Sequence, residues 1–278
     1  MKPKIIFLIV LLYLFSACNE NHKSIKIKGS DTEVNLAVEL AEKFHHYKED
    51  FSVSISGGGS GMGIASLYNG QADIANSSRP LSEEEKEMFQ KAKIQIKTVV
   101  FAEDATAIIV NPEISLTEID IPTLAKIMSG ELTNWLQLGE KQAPINIYGR
   151  QSNSGTHSFI QKKLNIHFSP KAKEMNGNAQ IIEGIKADPT GIGYVGAGYL
   201  LHNSDHKVKV LKIKSTAGSI AFSPLDSEAI KAKKYYFQRP LYQFITSNSW
   251  EKSKAFIDFE KSEKGKKIIN KSGYYTVE

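Results

Sequence analysis

Three times in this chain a short strand-like segment stops at a run of Gly, Ser and Thr, and a helical pattern begins. The runs are Gly29-Ser30-Asp31-Thr32, Gly57 to Gly63, and Ser154-Gly155-Thr156. A helix start exposes unpaired backbone N–H groups and the positive end of its dipole, so it binds an anion without a formal charge. Gly lets the backbone come close, and Ser or Thr adds a hydroxyl that rotates to donate. One such loop alone is better read as a plain helix cap. Three in one chain favour a shared anion.

Arginine usage points the same way. Of 35 Lys and Arg, three are Arg: Arg79, Arg150 and Arg239. A guanidinium offers a planar fork matched to an oxyanion, where an ammonium offers a point charge. Arg79 and Arg150 stand beside the loops. Arg239, before Pro240 on a strand-like run, reads as structural.

Other chemistries fit poorly. The glycine run at 57–63 does not satisfy G-x-G-x-x-G, no G-x-x-x-x-G-K-[ST] occurs, and Ser60 misses G-x-S-x-G at its last residue. His202 and His206 have zinc-like spacing, but Asn203-Ser204-Asp205 between them reads as a turn, so no metal or cofactor is expected. His157 reads as a surface residue at a helix entry. Were it instead the base for Ser60 or Ser154, the chain would be an exported phosphate-ester hydrolase, the alternative from another class.

The elements that must position these residues alternate. Strand-like segments at Ile25–Lys28, Phe51–Ile55, Asp73–Ala75, Ile94–Val100, Thr106–Val110, Ile145–Tyr148, Gly191–Val195 and Tyr235–Ile245 are interleaved with helical patterns. Val34, Ala37, Val38, Ala41 and Phe44 mark the first helix, and Ser253–Asn270 a closing one. Such alternation predicts α/β architecture with mainly parallel pairing. The 278 residues are 41% hydrophobic, enough for a real core. A single Cys excludes a disulfide framework. Net charge is +5, but the basic residues are scattered, which argues against nucleic acid.

Residues 1–17 have the form of a signal peptide. Lys2 and Lys4 precede an apolar run from Ile5 to Phe15, too short to span a bilayer. Ser16-Ala17-Cys18 follows at once and resembles a bacterial lipobox, which implies lipidation of Cys18. Residues 18–24 would be the lipidated tether of an exported, membrane-anchored lipoprotein facing the periplasm or cell surface.

Taken in order, several motifs resemble those of the phosphate-binding proteins of phosphate ABC transporters, a type II periplasmic binding protein family. Gly149-Arg150-Gln151-Ser152-Asn153-Ser154-Gly155-Thr156 is similar to that family's R-x-x-x-S-G-T signature. Gly191-Ile192-Gly193-Tyr194-Val195 matches its G-I-G-Y-V strand, and Ser78-Arg79-Pro80-Leu81 its S-R-P-L variant. Gly29-Ser30-Asp31-Thr32 and Gly59-Ser60-Gly61 fall in the expected order. The resemblance runs from Ile25 to the C-terminus. It implies a two-lobed α/β fold with a ligand cleft and a two-strand hinge. Lobe I would hold residues 25–104 and 240–278, and lobe II residues 105–239. The hinge crossings would lie near Phe101–Ala107 and Phe237–Phe244.

Carried over by the resemblance, inorganic phosphate would be held by Arg150, Ser154, Gly155 and Thr156, by Ser60, and by Ser30, Asp31 and Thr32. Ser78 and Arg79 would complete the set. The chain would be a monomer that delivers phosphate to an ABC permease and catalyses nothing. Phosphate keeps a proton near neutral pH and sulfate does not, so a buried carboxylate accepts from the first and repels the second. Some relatives carry Asp at the place of Ser78. Asp31 is then either the substitute acceptor or the N-cap of the first helix. If it only caps, a receptor or sensor for another oxyanion such as sulfate stays open.

Overall fold

The computed structural model describes residues 23–201 and 208–277. The signal peptide, Cys18, most of the tether and the His202–His206 pair lie outside the described residues. Lys23 and Ser24, expected in the tether, already belong to the first strand, β1 (Lys23–Gly29), where they pair with Phe51 and Ser52 of β2 (Phe51–Ser56).

The remaining elements follow in order. α1 (Val34–Tyr47) joins β1 to β2; then come α2 (Ser60–Tyr68), β3 (Ile74–Ser77), α3 (Glu83–Lys91) and β4 (Ile96–Val110). Next are β5 (Glu118–Asp120), α4 (Ile121–Ser129), β6 (Asn146–Arg150), α5 (Gly155–Leu164), β7 (Lys173–Met175), α6 (Asn178–Ala187) and β8 (Gly191–Gly196). The chain closes with α7 (Gly198–Leu201), β9 (Lys209–Lys214), α8 (Ser227–Lys231), β10 (Gln238–Thr246), α9 (Ser247–Lys261) and α10 (Glu263–Lys271).

The main strand order is β2-β1-β3-β10-β4-β8-β6-β7, with β9 beside β4 and β5. The expectation of mainly parallel pairing needs correction. The outer pairs are parallel, as strand–helix–strand units require, but every pairing made by β4 or β10 is antiparallel. The two strands anticipated at 94–100 and 106–110 are one strand of 15 residues. It runs against β10 from Ile96 to Ala105, and its far end pairs with β8 and β9.

Two hydrophobic cores flank this crossing. One gathers Ile25, Leu36, Phe44, Phe101, Ala102, Leu241, Phe256 and Tyr274. The other gathers Ala105, Ile108, Trp135, Ile160, Ile181, Tyr194 and Phe237. The change from one to the other falls between Ala102 and Ala105 on β4, and between Phe237 and Leu241 at β10. Each core is therefore sequence-discontinuous or bounded by the same two strands, the arrangement of a two-lobed molecule.

Local details follow from side-chain chemistry. Ser82 caps α3 in a reciprocal box, its Oγ accepting from Glu85 N–H at 3.1 Å while Ser82 N–H donates to Glu85 at 2.8 Å. The single closing helix expected at 253–270 is broken at Ser262, which turns extended and caps α10. At Gly63, an added Cβ would stand 2.5 Å from both Gly29 Cα and Lys28 O. This glycine lets α2 lie directly on the end of β1, which brings Ser60 next to the first loop.

Candidate functional site

The hydroxyls singled out from sequence meet at the junction of the two cores. Ser30 lies just past β1, Ser60 opens α2, and Ser78 follows β3; all three are buried. Ser30 Oγ donates to Ser78 Oγ at 3.1 Å, and Ser60 Oγ lies 3.5 Å from Ser78 Oγ. Ser78 N–H donates to Ser60 Oγ at 3.1 Å, and Thr32 N–H donates to Ser30 Oγ at 3.3 Å. The first loop is pinned from behind: Tyr274 Oη donates to Thr32 O at 2.6 Å and Tyr199 Oη to Asp31 O at 2.8 Å.

The third loop arrives from the other lobe. Thr156 Oγ1 stands 2.8 Å from Thr32 Oγ1. A Cβ on Gly155 would fall 2.4 Å from Ser60 Oγ and 2.5 Å from Ser78 Oγ, so the start of α5 is pressed against the serine cluster. At the rim, Gly61 N–H donates to Asn153 O at 3.0 Å and Asn153 Nδ2 to Gly58 O at 3.3 Å. Ser154 is placed nearby, but its hydroxyl caps its own helix, accepting from Thr156 N–H at 3.2 Å and His157 N–H at 3.5 Å.

Arg150 ends β6 and is buried. Its Nε donates to Met175 O at 3.3 Å, its Nη2 to Asn176 O at 2.8 Å and its Nη1 to Asp31 at 3.3 Å. Among the described residues this engages three of the five donors a guanidinium carries, leaving two for a ligand. Tyr194 Oη accepts from Arg150 N–H at 3.0 Å and fixes the backbone there.

Three expectations change. Arg79 does not face this cluster: its guanidinium forks onto Glu85 at 2.7 Å to each oxygen, because Glu85 already lies at the α3 start beside it. Asp31 does not cap α1, whose N-cap Glu33 makes no side-chain cap bond. Its Oδ2 crosses to the other lobe and accepts from Asn178 N–H at 2.8 Å, Asn178 Nδ2 at 2.7 Å and Arg150. It thus serves as the anion at the N-terminus of α6. Third, Arg239, read as structural, has that role in its pair with Asp104 and also borders the cluster. Its Nε and Nη2 bind Asp104 at 3.1 and 2.9 Å, its Nη2 also reaches Thr156 Oγ1 at 2.9 Å and Thr32 Oγ1 at 3.2 Å, and its Nη1 reaches Ser78 O at 3.3 Å. The rarity of Arg in this chain was the available signal for it.

Two buried carboxyls complete the electrostatics. Burial pushes Asp104 up to about 6, with Arg239 pulling it down. Burial pushes Glu33 up to about 8, against the opposing pull of Ser30 and Arg239. A nucleophile–base pair does not form at the third loop: the His157 ring packs on Phe168, centroids 4.6 Å apart, and burial lowers its pKa. Among the described residues no group of His, Cys, Asp and Glu could hold a metal, and no helix is long and apolar enough to cross a membrane.

Because Arg79 is committed to Glu85, Arg79→Ala is expected to leave oxyanion affinity within about twofold of the parent and to lower stability by about 1–3 kcal/mol, since both side chains of this forked pair are mostly buried, 17% and 19% exposed, and Glu85 loses its partner. Titration calorimetry and thermal melting check the two halves of that expectation.

Comparison with known proteins places this geometry. A family model described as a PBP superfamily domain matches residues 16–264. A Borreliella burgdorferi phosphate-binding protein PstS is 32% identical over 98% of both chains. A Staphylococcus aureus phosphate-binding protein PstS is 29% identical, covering 88% of this chain and 76% of its own. Among solved structures, a Clostridium perfringens protein with bound phosphate superposes with a TM-score of 0.81 at 28% identity, covering 92% of this chain and all of its own (100%). An ABC-type phosphate transport receptor from Vibrio cholerae gives a TM-score of 0.70 at 29% identity, with coverage of 91% and 100%.

Proposed function

The chain belongs to the periplasmic-binding-protein superfamily, as a PstS-like phosphate-binding protein of the type II fold, and from that premise we propose that its cleft captures inorganic phosphate outside the cytoplasm and hands it to an ABC permease. The observation that carries this reading is the meeting of Ser30, Ser60 and Ser78 with Gly155 and Thr156, groups that come from opposite lobes. A tetrahedral oxyanion has acceptors in all directions, and donors converging from two sides suit it. Ser30, Thr32, Ser60 and Ser78 would serve one side; Arg150, Gly155 and Thr156 the other. Ser154 would hold the α5 start in place, and Asp31 would hold Arg150.

The mechanism is closure. Lobe I, residues 25–104 and 240–278, and lobe II, residues 105–239, would swing about β4 and β10. Excluding water around the oxyanion strengthens each charge-assisted hydrogen bond. No covalent step is involved. Cys18 would carry the lipid that keeps the receptor beside its permease.

The test is calorimetry on the purified chain with phosphate, sulfate and arsenate. The expected result is saturable one-site binding of phosphate, with a smaller radius of gyration when bound. Absence of saturable phosphate binding overturns the reading.

A further inference from the structure

Beside the serine cluster a crevice of about 900 Å³ runs along β10, bordered at its inner end by Ser78 and Arg239. That is the size of a small-molecule site. On the lobe division proposed above, its walls come from both lobes: Pro80, Leu81 and Tyr242 from lobe I, and Phe159, Lys163 and Tyr236 from lobe II. The lobe I wall is apolar and well supported. Leu81 and Tyr242 pack on the core around Phe89 and Phe244, and the Tyr242 ring stacks on Phe244 with centroids 5.9 Å apart.

Charge on the crevice is unevenly matched. Arg79 is neutralised by Glu85 at 2.7 Å, Lys86 by Glu83 at 2.7 Å and Arg239 by Asp104 at 2.9 Å. Lys163 has no carboxylate partner among the described residues. It is half-buried, its Nζ lies 4.5 Å from the Tyr236 ring centroid and 5.9 Å from that of Phe159, and burial lowers its pKa with no carboxylate to raise it. Lys162, beside it in α5, adds a second, exposed charge to the same wall. An unpaired, partly desolvated ammonium favours an anionic group. A bare inorganic anion gains nothing from the apolar wall opposite, whereas an acid carried on aromatic rings gains from both walls. We propose that the crevice binds a small aromatic acid, its rings against Leu81 and Tyr242 of lobe I and its acid group on Lys163 and Lys162 of lobe II, and that the bound acid clamps the lobes together and tightens the hold on phosphate. A ligand that touches both walls binds the closed form better than the open one, and the coupling to phosphate is reciprocal. The clamp rests on the phosphate-receptor reading; binding of the acid does not.

The experiment titrates the full chain with anilinonaphthalene sulfonate, followed by its fluorescence, with and without saturating phosphate. The expected result is saturable binding that tightens about fivefold or more when phosphate is present, with phosphate affinity raised by the same factor when the probe is saturating. Lys163→Gln is expected to weaken the probe about tenfold or more, as for loss of a charged hydrogen-bond donor, and to leave phosphate affinity measured alone within about twofold, being outside the serine cluster. Lys86→Glu, exposed on the lobe I wall, sets a like charge against the acid only when the lobes close, so the probe still binds without phosphate but the tightening is lost. Displacement of the probe by phosphate would place it in the phosphate cleft and overturn the inference. Probe affinity indifferent to phosphate, or unchanged in Lys163→Gln, overturns it as well, while phosphate receptor function stands. A parent that binds the probe through Lys163 but binds no phosphate overturns the receptor reading instead.

Discussion

Gly155→Ala lowers phosphate affinity by about 10- to 100-fold, the effect of about 1–3 kcal/mol of overpacking in the closed form, and does not destabilise the unliganded protein. The added methyl would lie 2.4 Å from Ser60 Oγ and 2.5 Å from Ser78 Oγ, both on the opposite lobe. Neither can retreat, since Ser60 Oγ accepts from Ser78 N–H and Ser78 Oγ accepts from Ser30. On the closure proposed above, the clash exists only when the lobes meet. In the open molecule the substitution falls in the first turn of α5, where Ala is the better helix former and constrains the unfolded chain, a gain of about 0.4–1 kcal/mol. Affinity and melting temperature therefore move in opposite directions, which no general loss of structure would produce. Calorimetry with phosphate, beside a thermal melt without it, checks both.

Arg239→Met has the largest expected effect on stability. It strands Asp104, which is fully buried and whose Oδ1 already lacks a partner among the described residues. Breaking one side of a buried ion pair costs about 3–5 kcal/mol, whereas replacing both sides with apolar groups is often nearly neutral. Arg239→Met is thus expected to lower the melting temperature by about 6–20 °C for a chain of this size, and Asp104→Leu added to it to restore much of the loss. The pH dependence has a definite sign. Asp104 is raised to about 6 with Arg239 in place, and rises further without it. A carboxyl whose folded pKa exceeds its unfolded value favours the fold at low pH and loses that favour as pH rises through the folded value. The deficit of Arg239→Met should therefore be small near pH 4–5 and large near pH 8. A deficit that does not change with pH counts against the pairing.

The three loops were legible in sequence because helix starts demand particular residues. Gly where backbones approach and Ser or Thr where hydroxyls must turn inward are local requirements, and Ser30, Ser60, Gly155 and Thr156 stand where those requirements put them. The arginines were not legible in the same way. Whether Arg79 or Arg239 enters the cleft is decided by Glu85, fixed by the α3 cap, and by the pairing of Arg239 with Asp104 across β10 and β4. That register joins residues 135 apart, and no local pattern encodes it. The same is true of Asp31, whose partner Asn178 lies 147 residues away. The antiparallel pairings of β4 and β10 were hidden because strand alternation looks alike in either direction. The break at Ser262 had a visible signal, a capping Ser three residues before Gly265, but the apolar spacing of α9 and α10 runs on across it.

One core draws on both Ile25–Ala102 and Leu241–Tyr274. A polypeptide that emerges N-terminus first therefore cannot finish its first lobe until its last seventh or so has arrived. Until then β3 and β4 lack the strand that lies between them, and their open edges invite pairing with other chains. Joining such distant segments is entropically slow, so the second lobe, contiguous in sequence, is free to fold ahead of the one begun before it. A product truncated before β10 would keep those strand edges exposed, where a protease can reach them.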